Sequence, residues 1–114
     1  MMNRITEPAF FVLATLADGA RHGYGIVGEV ADLSDRRVSL KIGTLYGVLD
    51  RLVADGLVEP DRDEVWQGRL RRYYRITESG RACLTHEAER HAAKALLAER
   101  RLGVIRPASG EAAR

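Results

Sequence analysis

At Gly56 the spacing of apolar residues changes from the three-to-four of a helix to a strand-like pattern, and Thr77 marks the return to a helical one. A chain of 114 residues has room for one domain with a single modest core. The fold class this implies is mainly α with a small β-hairpin, the hairpin following directly on the third of three short helices.

The helices are bounded by ordinary capping chemistry. Thr6 is placed to cap a first helix running to about Ala17, with Glu7 and Pro8 suited to its first turn and Phe10, Leu13 and Ala17 on one face. Gly23 to Leu33 reads as a second helix with Ile26, Val27, Val30 and Leu33 at core spacing. Gly25 and Gly28 weaken that helix by about 1 kcal/mol each relative to alanine, which makes sense if another backbone passes close by. Ser34 to Arg37 is a turn, and Ser39 is a good cap for a third helix ending at Asp55-Gly56. Leu45, Leu49 and Leu52 form its buried stripe, with Lys41, Thr44, Gly47 and Arg51 away from it. Two helices joined by a tight turn give a helix-turn-helix arrangement.

Beyond Gly56, Leu57-Val58-Glu59 and Arg72 to Thr77 are the strand formers, and Asp61 to Arg71 folds back as a hairpin tip containing Gly68. Pro60 places the first strand at an edge or ends it. Tyr74 and Ile76 should face the core, Tyr73 and Arg75 solvent. A hairpin after a recognition helix is a wing. Thr77 then caps a long helix to about Leu102, whose alanine-rich stripe suits close packing on a second subunit. The interface expected there is Leu84, Ala88, His91, Ala92, Ala95, Leu96 and Leu102, joined by Phe11 of the first helix. The expected organisation is a winged helix-turn-helix domain over residues 1–78, a dimerisation helix over 79–103 and a disordered tail over 104–114.

Charge sharpens the functional reading. Residues 1–35 hold two arginines against five acids, whereas residues 36–81 hold ten basic residues against seven acids. The basic groups therefore gather where a nucleic-acid face would need them, though the net charge is only +2. No apolar run suggests a membrane span, no signal-peptide layout opens the chain, and a single cysteine, Cys83, fits a reducing cytoplasm. His22, His86, His91 and Cys83 lack metal-ligand spacing, and neither a nucleophile-base series nor a glycine-rich phosphate loop is present. Neither an enzyme nor a bound cofactor is expected.

Four elements occur in order: His22-Gly23-Tyr24-Gly25-Ile26; Gly43-Thr44-Leu45-Tyr46 with Leu49-Asp50-Arg51-Leu52; Asp55-Gly56-Leu57-Val58; and Tyr73 to Thr77 with Gly80. Together they resemble the PadR family of transcriptional regulators over about residues 8–81, and the long last helix resembles the family's short subgroup. Gly47 and Val53 depart from the family pattern, which more often has proline and glutamate there. The resemblance implies a winged helix with a C-terminal dimerisation helix, a palindromic operator on double-stranded DNA, and often release by a small-molecule effector.

Candidate contacts follow. Ser39, Lys41 and Thr44 stand at the start of the third helix, where free N–H groups and the helix dipole favour phosphate; for Ser39, plain capping is an equal reading. Tyr46 lies beside the buried stripe, and the resemblance implies a phosphate contact through its hydroxyl, against the alternative of packing on the second helix. Arg51 serves either the DNA backbone or Asp55 four residues on. Arg69, Arg71 and Arg72 crowd the hairpin tip with Gln67, and such a cluster repels itself unless an anion or the acids Asp61, Asp63 and Glu64 lie nearby. Trp66 is expected to pack on the hairpin, and His22 to cap or pack at a helix start. The competing reading is a winged-helix protein-interaction module that does not bind DNA.

Overall fold

The computed structural model describes residues 4–105. The first three helices are α1 (Glu7–Leu16), α2 (Gly23–Leu33) and α3 (Ile42–Ala54). A two-residue strand, β1 (Arg21–His22), precedes α2, and β2 (Val58–Trp66), β3 (Arg69–Ile76) and α4 (Glu78–Leu102) follow α3. The sheet is antiparallel in the order β1-β3-β2, so β2 is an edge, as Pro60 requires.

Thr6 accepts from the Ala9 N–H and Thr77 from the Gly80 N–H, so both threonines cap as their positions suggest. Thr77 does more, donating its hydroxyl to the Gly56 carbonyl at 2.7 Å and tying the start of α4 to the end of α3. The core joins Val12, Leu13 and Leu16 of α1 to Ile26 and Val30 of α2, Leu45, Leu49 and Leu52 of α3, Val58, Tyr74 and Ile76 of the sheet, and Cys83 of α4. Each fully buried leucine or isoleucine here contributes about 1.5–3 kcal/mol by leaving water.

Several expectations need correction. Phe10 and Ala17 are only half-buried; the buried face of α1 is Ala9, Val12, Leu13, Thr15 and Leu16, and Phe10 turns instead toward His91 on α4, with ring centroids 5.4 Å apart. Leu33 is exposed, because α2 has run past the core by its last turn. Ser39 does not cap α3: the helix starts at Ile42, Lys41 occupies the capping position without a side-chain hydrogen bond, and Ser39 is exposed two residues upstream. The segment before α3 is spent on burying Val38, whose N–H donates to the buried Ser34 hydroxyl at 3.0 Å.

The glycines are also used differently. A Cβ at Gly28 would meet nothing within 4 Å, and one at Gly25 only the His22 ring. The close approaches are at Gly80, where a Cβ would collide with the Leu57 carbonyl oxygen, and at Gly23, where it would lie 2.9 Å from the Tyr46 hydroxyl.

The wing is longer than its pattern suggests. The ladder continues to Trp66↔Arg69, and the turn is only Gln67-Gly68, both with positive φ (50° and 74°), the backbone that a two-residue hairpin turn demands. Between Pro60, paired with Tyr74, and Asp63, paired with Arg72, β2 carries one extra residue, a β-bulge that bends and twists the hairpin. Residues 106–114, most of the tail expected to be disordered, lie outside the described residues, as do residues 1–3.

Candidate nucleic-acid interface

The exposed side of α3 carries Lys41, Gly43, Thr44, Gly47, Asp50 and Arg51. It is a thin surface, with two glycines at its centre. Arg51 Nε lies 3.6 Å from Asp55, which favours the ion-pair reading of that arginine, although its side chain stays 81% exposed. At that exposure the pair contributes little and is readily exchanged for a phosphate.

Tyr46 packs on the second helix and still reaches solvent. Its ring lies against the start of α2 at Gly23, and it remains 39% exposed at the mouth of a cleft. That cleft, of about 410 Å³, separates the wing from α2 and α3 and is lined by Arg69, Arg71 and Arg72 together with Tyr46, Trp66 and Gln67. No carboxylate lines it. The wing arginines are thus brought together with Tyr46. Thr44 and Arg51 face a separate groove of about 530 Å³ on the other side of α3, shared with Arg4 and Thr6 at the start of α1. Tyr74 and Ile76 are buried while Arg75 is exposed and Tyr73 half-buried, as the alternation implies.

The three wing arginines have different surroundings. Arg69 has no ion-pair partner among the described residues. Arg72 reaches Asp63 at 3.4 Å across the ladder. Arg71 lies over the Trp66 ring at 3.8 Å, a cation–π contact that explains the tryptophan's place on the hairpin, and its Nη1 is 3.2 Å from His22 Nε2. The other wing acids are engaged elsewhere. Arg62 takes Asp61 at 2.8 Å and Glu64 at 2.7 Å, and Arg75 takes Asp61 at 2.9 Å and Glu59 at 3.2 Å. Hydrogen bonds from Arg62 hold the Asp61 and Glu64 carboxyls below their ordinary range. Apart from Asp63 on Arg72, the acids therefore pair with the outer arginines, and Arg69 and Arg71 keep the cleft basic. This sorting was not readable from sequence, because it depends on which face of a bulged strand each side chain takes.

His22 caps α2, its Nδ1 accepting from the Gly25 N–H at 3.3 Å. Burial, then the Arg71 charge, push its pKa down. Burial, then Glu87, push the Cys83 thiol up, the opposite of what a reactive thiolate needs.

On α4, the expected interface positions Ala88, His91, Ala92, Ala95, Leu96 and Leu102 are exposed within this chain, while Leu84 and Phe11 are half-buried against the core. Glu87 is buried among them and chelated by Arg90 at 3.0 and 3.3 Å. Among the described residues no helix is long and apolar enough to cross a membrane, and no group of His, Cys, Asp and Glu could hold a metal ion.

Three helices, a hairpin standing beside the third, and a basic cleft between them define a winged helix-turn-helix protein. The family model of the PadR-like transcriptional regulators matches residues 12–86, and the chain belongs to that family. It is 42% identical over 76 residues to the transcriptional regulator Rv3488 of Mycobacterium tuberculosis, covering 67% of each chain. Its fold is similar to that of a PadR family transcription regulator from Clostridium difficile, at 22% identity and a TM-score of 0.71 over 85% of this chain and 99% of that one. It is also similar to Bacillus subtilis PadR, solved in complex with operator DNA, at 22% identity and a TM-score of 0.62 over 70% of this chain and 45% of that one.

Proposed function

We propose that this transcriptional regulator is a repressor that binds a palindromic operator as a homodimer through α3 and the wing, and is released by a small-molecule effector. The observation that carries DNA binding is the cleft, where three arginines and a tyrosine converge without one lining carboxylate. Duplex DNA is the polyanion whose phosphates fit such a surface. The likeness in fold to a regulator bound to its operator supports the same reading. Lys41 and Thr44 then stand over the major groove while Arg69, Arg71 and Arg72 hold the adjacent backbone.

The test is titration of duplexes from the protein's own promoter region, followed by fluorescence anisotropy at several salt concentrations. Replacing Arg69, Arg71 and Arg72 together by alanine should weaken binding to every sequence and flatten the salt dependence by up to about three units of slope per wing. An unchanged slope removes the wing from the interface, and a wild-type chain that binds no duplex favours the protein-interaction reading.

A further inference from the structure

We propose that His22 is a DNA contact as well as a helix cap, presenting Nε2–H as an uncharged donor to the same backbone phosphate that Arg71 takes. This rests on the DNA-binding reading above and adds to it a residue on β1, outside both α3 and the wing hairpin.

The argument starts from hydrogen positions. The backbone N–H of Gly25 points at His22 Nδ1 from 3.3 Å. A backbone N–H can only donate, so in the capped arrangement Nδ1 carries a lone pair and the proton of the neutral ring sits on Nε2. Arg71 Nη1 lies 3.2 Å from that same Nε2, and a guanidinium has donors only. With the cap made, two donors face each other at hydrogen-bonding distance, and neither satisfies the other.

Among the described residues no hydrogen bond resolves the mismatch. Glu64, paired with Arg71 across the ladder, is held by Arg62 at 2.7 Å. Trp66 supports the Arg71 guanidinium through its ring face, which fixes the charge without offering an oxygen. Protonating His22 makes matters worse, because a proton on Nδ1 breaks the α2 cap and sets a second cation beside Arg71. Burial and Arg71 both hold the ring neutral, and only the Glu64 charge favours the cation. An acceptor entering from the cleft would satisfy both groups. A phosphate oxygen lying between Nε2 and Nη1 satisfies both donors, and Tyr46 of α3 lines the same cleft. The cleft is thereby set to receive one phosphate before any duplex arrives.

The competing arrangement has the proton on Nδ1, Arg71 donating to Nε2, and the Gly25 N–H uncapped. In that case His22 is a strap between wing and α2 and needs no anion. Long-range ¹⁵N–¹H correlation spectra of the wild-type protein at about pH 8, where an ordinary histidine is neutral, separate the two; a proton on Nε2 is expected, and a proton on Nδ1 overturns the proposal.

Binding supplies the second arm. His22→Asn keeps an oxygen to cap Gly25, while its shorter amide no longer places an N–H where Nε2–H stood. Its affinity for a promoter duplex and for a random duplex should fall about five- to tenfold alike, with the salt slope unchanged because no charge is lost. Arg71→Ala should lower affinity and slope together. H22N binding with wild-type affinity refutes the contact while leaving DNA binding intact, whereas a wild-type protein that binds no duplex refutes both. The spectra are recorded on wild-type protein, so they decide the matter even if the variant does not fold.

Discussion

At the scale of single residues, the tightest constraint is Gly80, whose missing Cβ makes room for the Leu57 carbonyl. Backbone cannot step aside as a side chain can, so Gly80→Ala should cost about 1–3 kcal/mol in urea unfolding. Gly23→Ala meets only side chains, the tip of Tyr46 at 2.9 Å and the Ile42 Cδ1 at 3.2 Å. It should leave stability closer to wild type and reduce operator affinity by displacing Tyr46. Cys83 is buried with a raised pKa, so native protein should react with Ellman's reagent only as fast as it unfolds; rapid labelling without denaturant would contradict its place in the core. His22 carries a pH signature. Its folded pKa is depressed, so the unfolded chain binds the proton more readily. The stability tied to its neutral form is complete above the ordinary histidine range and is lost as the pH falls through that range. Unfolding midpoints compared between about pH 8 and pH 5 should show this loss in wild type and less of it in His22→Asn.

At the scale of elements, α3 and α4 make different demands. Alanine at Lys41, Thr44 and Tyr46 should abolish operator selectivity with little change in melting temperature, since Lys41 and Thr44 are exposed and Tyr46 is 39% exposed. If Tyr46→Ala alone unfolds the protein, the ring's packing on Gly23 outweighs its place in the cleft. On α4, the stripe from Ala88 to Leu102 is proposed to meet a second subunit; Ala95→Glu would place an unpaired charge there and should give monomers in sedimentation. A variant that stays dimeric moves the interface elsewhere. The ends of α1 and α4 were legible in the sequence because threonine caps act locally. The start of α3 was misplaced because a serine-cap signal says nothing about Val38, whose burial holds the preceding segment extended. Most of the wing's length was invisible for a different reason: from Arg62 to Leu70 every residue is exposed, so no apolar alternation marks the strands. Charge clustering alone identified the wing arginines. The His22–Arg71 contact spans 49 positions, and only the β1–β3 pairing, a strand of two residues, brings it about.

At the scale of the whole molecule, the described chain measures 56 × 34 × 25 Å, and almost every residue of α4 beyond Arg90 is exposed. A helix of 25 residues is about 37 Å long, long enough to pair with its copy along most of its length while holding two wings apart. In the proposed dimer the recognition helices lie about one helical turn of DNA apart, roughly 34 Å. Inserting about 5 base pairs between half-sites should put them on opposite faces of the duplex and reduce affinity to that of one half-site, a loss of roughly a hundredfold or more. Unchanged affinity would mean that the protomers bind independently. How the wing meets the duplex within that frame depends on the extra residue of β2 between Pro60 and Asp63. The ladder is pinned below it at Pro60–Tyr74 and above it at Asp63–Arg72, so a one-residue deletion or insertion there leaves the core pairing and the Gln67-Gly68 turn untouched. What changes is the direction in which the arginine tip points. The bulge is in effect an adjustable joint, at which the length of one strand sets the aim of the tip while the pairing on either side stays in register.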